Sequence, residues 1–154
     1  MRVGLISDTH GLLRPEALDA LAGVEHILHA GDIGSREILE RLADVAPVTA
    51  VRGNNDKAPW ASGIAEMEAI ALGALHVYMI HDIGELDLDP AASGFAAVIC
   101  GHSHRPKVEH KKGVLFVNPG SAGPRRFKLP VTVGFLEIRG GTVNARIQEL
   151  AIEV

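Results

Sequence analysis

Short apolar runs separated by polar, glycine-containing breaks divide the chain, and their spacing differs between its two halves. Val3 to Ser7, with Val3, Leu5 and Ile6, predicts a buried strand. Pro15 to Leu21 follows with helical spacing, Pro15 being pre-set for a first turn and Leu18, Leu21 and Ala22 sharing a face. Ile27 to Ala30 predicts a second strand. Ser35 is an N-cap candidate for a helix from Arg36 to Val45, in which Ile38, Leu39 and Leu42 align. Val48 to Val51 predicts a third strand. This β-α-β-α-β order implies a parallel sheet with right-handed crossovers. The second half reads as strands: Met67 to Leu72 and Leu75 to Ile80 around a Gly73-Ala74 turn, then Ala96 to Cys100, Val114 to Val117, Val131 to Ile138 and Thr142 to Ile147. Only Pro90 to Ser93 suggests a short helix there. The pattern predicts an α/β fold of two stacked sheets with helices outside.

Composition narrows the class. At 154 residues, 47% hydrophobic and 22% charged, the sequence suits one globular domain over residues 1–154 with a full core. Aromatic residues are 4% and the net charge is −4, so neither base-stacking platforms nor a basic footprint argue for a nucleic-acid partner. The single cysteine, Cys100, ends an apolar run and reads as a small buried hydrophobe. No leader-like or bilayer-length apolar stretch is seen, which leads to the expectation of a cytoplasmic protein without membrane contact.

Metal-competent residues recur just after the predicted strands. They are Asp8-Thr9-His10, Gly31-Asp32, Gly53-Asn54-Asn55-Asp56, His81-Asp82 and Gly101-His102-Ser103-His104. In open α/β sheets ligands bind outside the carboxyl ends of the strands, so five strand ends can converge on one spot. In Asp8-x-His10 and His102-x-His104 an extended backbone would aim both side chains to one side. Glycine before three of these residues permits close backbone approach. Carboxylate, imidazole and one amide suit manganese, iron, zinc or nickel better than calcium, and the lack of thiolates argues against a structural zinc site.

In this order the motifs closely resemble the calcineurin-like metallophosphoesterase superfamily, and in compactness its YfcE-like phosphodiesterases; Asn118-Pro119-Gly120-Ser121 is also family-like. The resemblance implies a four-layer α-β-β-α sandwich and a centre of two divalent metal ions. It places Asp8, His10, Asp32 and His104 at one metal, and Asp32, Asn54, His81 and His102 at the second, with Asp32 bridging. It further implies in-line attack on phosphorus by a hydroxide bridging the metals. Asp56 would support the ligands from behind.

Two positions depart from the family pattern. Monoesterases of the superfamily usually carry histidine after the metal-binding asparagine, to protonate the leaving group. Asn55 stands there, and losing a general acid costs roughly 10²–10⁴-fold on poor leaving groups. The family's second histidine after His81 is replaced by Ile83. These features favour a phosphodiesterase acting on a small phosphodiester or nucleotide-like substrate. A phosphomonoesterase or nucleotidase, and a protein-interaction scaffold like the sorting subunit of retromer, are the alternatives; homo-oligomerisation is left open. His26, His29, His76 and His110 are assigned to structure, with His110 in a Glu109–Lys112 turn. Trp60 either walls the pocket or packs, and Arg125 and Arg126 either reach a substrate phosphate or lie on the surface.

Overall fold

Two five-stranded mixed sheets stack face to face in the computed structural model, which describes residues 1–152. Chain order is β1 (Arg2–Ile6), α1 (Pro15–Leu21), β2 (His26–His29), α2 (Arg36–Ala43), β3 (Val48–Ala50), β4 (Met67–Leu72), β5 (Leu75–Ile80), β6 (Ala97–Ile99), β7 (Lys107–Lys111), β8 (Val114–Asn118), β9 (Thr132–Arg139) and β10 (Thr142–Glu149). The first sheet runs β10-β9-β1-β2-β3 and the second β4-β5-β6-β8-β7.

Alternation along each strand builds two main cores. Val3, Leu5, Leu28 and Ala30 point inward and meet Val77, Met79, Ala97 and Ile99 of the second sheet. Ile6, Ile27, Val133 and Phe135 point outward and are covered by Ala17 and Leu21 of α1 and by Ile38 and Leu42 of α2. Strands β1, β2 and β3 are parallel, as are β5, β6 and β8, so the carboxyl ends of both groups carry the polar motifs. No helix among the described residues is long and apolar enough to cross a membrane.

Three local expectations are corrected. Pro90 to Ser93 forms a turn, not a helix. The outer face of the second sheet, at Tyr78, Ile80, Val98 and Val114, is instead packed by Leu86, Leu88 and Phe95 of the irregular 82–95 connection, which holds one 3₁₀ turn at Ile83–Glu85. Residues 107–111, including Glu109 and His110, are an edge strand rather than a turn, paired antiparallel to β8 from Lys107–Asn118 to Lys111–Val114. Ser35 occupies the N-cap of α2, but its side chain makes no capping hydrogen bond. Trp60 lies in a 3₁₀ turn (Pro59–Ala61) and packs against the helix-side core, which settles it as a packing residue.

Candidate metal centre

The loops after β1, β2, β3, β5 and β6 meet in one cluster. Asp8, Asp32, His81 and His104 are buried there, His10 is half-buried, and Asn54 and His102 stand at its exposed rim. Asp8 Oδ1 lies 3.4 Å from His104 Nε2, and 3.9 Å from both His10 Nε2 and His81 Nε2. Asp32 Oδ2 is 3.3 Å from His81 Nε2 and 3.8 Å from His10 Nε2. The Nε2 atoms of His10 and His104 face each other at 3.3 Å. Two sets of three ligand atoms thus lie within mutual reach of an ion: Asp8, His10, His104 and Asp8, Asp32, His81. At the rim, His102 Nδ1 is 3.2 Å from Asn54 Oδ1, and the His102 ring stands edge-on to that of His81 with centroids 5.2 Å apart.

Backbone conformation at these residues differs from the extended form expected of the paired motifs. Asp8, His10, Asp32, His102 and His104 all have positive φ, between 46° and 71°. The side chains converge because the chain turns left-handed at each ligand, a region L residues enter only under constraint. Close packing supplies that constraint. A Cβ on Gly53 would collide with Asp32 Oδ1 and the Asp32 backbone nitrogen, and one on Gly101 with Ser7 Oγ and, at 2.7 Å, Asp8 Oδ2. These glycines serve approach rather than turning.

A ring of hydrogen bonds fixes the donor atoms. Asp8 Oδ2 accepts from Ser7 Oγ (2.7 Å) and the His102 backbone N–H (3.1 Å), which ties the β1 loop to the β6 loop. Asp32 accepts from the Asn55 backbone N–H (2.9 Å) and the Asn55 side-chain amide (3.1 Å). Asp56 binds no cluster atom; its carboxylate gathers the N–H groups of Ile33, Gly34 and Gly53, locking the β2 and β3 loops together.

His29 belongs to this scaffold, although an imidazole interrupting an apolar strand reads as ordinary core. It is fully buried, and its Nδ1 accepts from the Gly31 N–H at 3.1 Å. Its Nε2–H must therefore donate to Thr9 Oγ1 (3.0 Å), whose hydroxyl donates to the Ile33 carbonyl (2.8 Å). Burial pushes its pKa down to about 4, so it is neutral. The one sequence signal was its position two residues before Gly31. Asp82, named at its strand end but given no role there, has its carboxylate 3.9 Å from His102 Nε2 and caps the following 3₁₀ turn. Arg125 and Arg126 are exposed, and the Arg126 charge is near enough to disfavour protonation of His10. His76 and His110 are exposed, and His26 bonds Thr49, all away from the cluster.

The electrostatics call for a cation. His81 Nδ1 faces the Ala30 carbonyl at 2.7 Å, so it carries the hydrogen and a neutral ring presents only a lone pair at Nε2. Opposite stand the carboxylate oxygens of Asp8 and Asp32, which also only accept. Asp8 Oδ1 and His81 Nε2 are buried with no hydrogen-bond partner among the described residues. Leaving such atoms unpaired is costly, and a metal ion or a proton removes the conflict. Burial opposes ionisation of Asp32, but the nearby His81 ring and the hydrogen bonds from Asn55 outweigh it and hold the carboxyl well below its usual range. Burial likewise opposes protonation of His81, yet Asp32, the Ala30 carbonyl and Asp8 raise its pKa on balance. The donor set, two carboxylates with imidazoles and an amide, fits a divalent transition metal.

With this fold and site, the chain belongs to the calcineurin-like phosphoesterase superfamily, whose domain model matches residues 1–141. It is 38% identical over 159 aligned positions to a probable metallophosphoesterase of Methanothermobacter thermautotrophicus, across 96% of this chain and 91% of that protein. A novel archaeal phosphodiesterase shares the fold with a TM-score of 0.78 at 23% identity, covering 96% of this chain and all (100%) of the other. So does Vps29 from Entamoeba histolytica, solved in complex with Zn²⁺, with a TM-score of 0.74 at 24% identity, covering 97% and 99%.

Proposed function

We propose that the protein is a phosphodiesterase that works with two divalent metal ions. The observation that carries this reading is the pair of buried acceptors, Asp8 Oδ1 and His81 Nε2, without a hydrogen-bond partner among the described residues and converging on Asp32 Oδ2. Asp8, His10, Asp32 and His104 would hold one ion, and Asp32, Asn54, His81 and His102 the other. Asp32 is assigned to both because its Oδ2 reaches His10 and His81 alike. Asp8 is shared by the two triads of mutually close atoms, so a metal count on Asp8→Asn beside Asp32→Asn separates the two as bridges. Held by these residues, two divalent ions would supply Lewis-acid activation of water and of the phosphoryl oxygens.

The protein's own groups supply position. Asn55 holds both oxygens of Asp32 and has no proton to give a leaving alkoxide near neutral pH. Its chemistry therefore favours diesters with competent leaving groups over monoesters, where protonation matters most. Asp56, Ser7 and His29 keep the loops at fixed separation, which spares reorganisation during reaction. The Vps29 likeness supports a second reading, a partner-binding scaffold of this fold. A scaffold, however, has no use for unpaired buried acceptors that cost stability.

The deciding experiment is hydrolysis of bis(p-nitrophenyl) phosphate by protein stripped of metal and reloaded with manganese, beside Asp32→Asn. Turnover that requires metal and falls at least about 10²-fold in the variant supports the proposal. No turnover with two ions confirmed by elemental analysis favours the scaffold.

A further inference from the structure

The 82–95 connection covers only part of the outer face of the second sheet. Beyond Ile83 it leaves Cys100 and Phe116 lining a groove of about 320 Å³, whose lining also includes Asp82 and His102, the latter at the rim of the metal cluster. That volume is in the range of small-ligand sites. Its floor is apolar: Cys100 is pushed up to about 12 by burial and stays a neutral thiol, and Phe116 is half-buried.

The rim carries specific polar groups. Lys107 and Lys111 both pair with Glu109, at 3.0 and 3.6 Å. Arg105 also lines the groove, and among the described residues its guanidinium has no ion pair or hydrogen bond; only its backbone N–H is engaged, by Ser103 Oγ at 3.2 Å. Ser103 Oγ accepts a second bond from Asn118 Nδ2 at 3.1 Å, so its own proton is left to donate into the groove. Lys111 stands 5.6 Å from the centre of the Phe116 ring; it is an exposed side chain that can move aside.

We infer that this groove receives one ester arm of the substrate, that the arm is a nucleoside whose base lies against Phe116, and that it bears a second phosphate met by Arg105. The inference rests on the phosphodiesterase reading and deepens it. An aromatic floor matches the π-face of a base, whatever the base. A free guanidinium matches a phosphate better than a lone carboxylate or a neutral group, because its donors form a bidentate fork. An acyl chain is a poor fit, since the groove is short and ringed by Asp82, Arg105, Lys107, Glu109 and Lys111.

The test uses three diesters sharing a p-nitrophenolate leaving group on manganese-loaded protein: the methyl ester, the thymidine 5′-ester, and the thymidine 5′-ester carrying a 3′-phosphate. The proposal expects kcat/KM to rise about tenfold at each step, chiefly through KM. Phe116→Leu, which keeps an apolar side chain, should erase the first step, and Arg105→Gln, at an exposed side chain, the second. Three values within about threefold of one another would overturn it. If no diester is hydrolysed, the phosphodiesterase reading fails, and titration calorimetry with thymidine 3′,5′-bisphosphate decides the groove separately. Binding weakened by both substitutions supports the groove assignment; no binding, or binding indifferent to them, overturns it.

Discussion

Of the seven non-glycine residues with positive φ among those described, five are Asp8, His10, Asp32, His102 and His104. Left-handed backbone at such residues costs on the order of 1–3 kcal/mol each, so the cluster stores strain in its candidate ligands. His102 is the cleanest place to observe this, being exposed at the rim with φ of 71°. His102→Gly relieves the strain and removes a ligand in one change. Metal-free His102→Gly should resist urea more than the parent, by up to about 1 kcal/mol, while calorimetry shows weaker metal binding. A variant less stable than the parent would mean that the left-handed turn at this residue is not strained.

The elements are held in position by groups between their ends, and His29 is the one with a pH signature. It sits at the end of β2 and joins the β1 loop, through Thr9, to the β2 loop, through Gly31. Its pKa is depressed from 6.5 to about 4 in the folded chain, so below pH 6.5 the unfolded chain binds a proton that the native one refuses. The associated stability is complete above pH 6.5 and is lost as pH falls toward 4, by roughly 3 kcal/mol in all. Metal-free urea titrations across that window should show a steep slope in the parent and a flatter one in His29→Gln; equal slopes would refute the assignment.

Element periodicity made most strands legible. The runs of β1, β4 and β5 are aliphatic enough to announce strands whatever surrounds them. Strand β7 was hidden because Lys107, Glu109 and Lys111 alternate with only Val108 and His110, and an edge strand of charged residues resembles a turn until its pairing with β8 is seen. Pro90 to Ser93 has helix-compatible residues but too short a run to overcome nucleation. At the site, the order of the candidate ligands could be read because each motif follows a strand. The left-handed φ values and the Gly53–Asp32 approach could not, since both depend on contacts between distant loops.

At the scale of the whole molecule, the cluster joins the two sheets. Asp8, His10, Asp32 and Asn54 follow strands of the first, and His81, His102 and His104 follow strands of the second. Ions held across that seam bind only the folded chain and therefore stabilise it by mass action. At a hundred times the dissociation constant this is about 2.7 kcal/mol, or on the order of 5–10 °C in Tm for a chain of this length. Scanning calorimetry with manganese against a chelator should show that rise in the parent and little of it in Asp32→Asn.

The division of ligands between sheets also orders events in the life of the chain. The first four ligands are complete when residue 54 has been made, but they meet their partners only once β5 and β6 have docked, and β1 lies between β2 and the much later β9. A nascent or partly unfolded chain thus offers scattered weak donors, not a finished pair of sites. Occupancy would then be a certificate of assembly, since ions that need both sheets would mark which copies have closed.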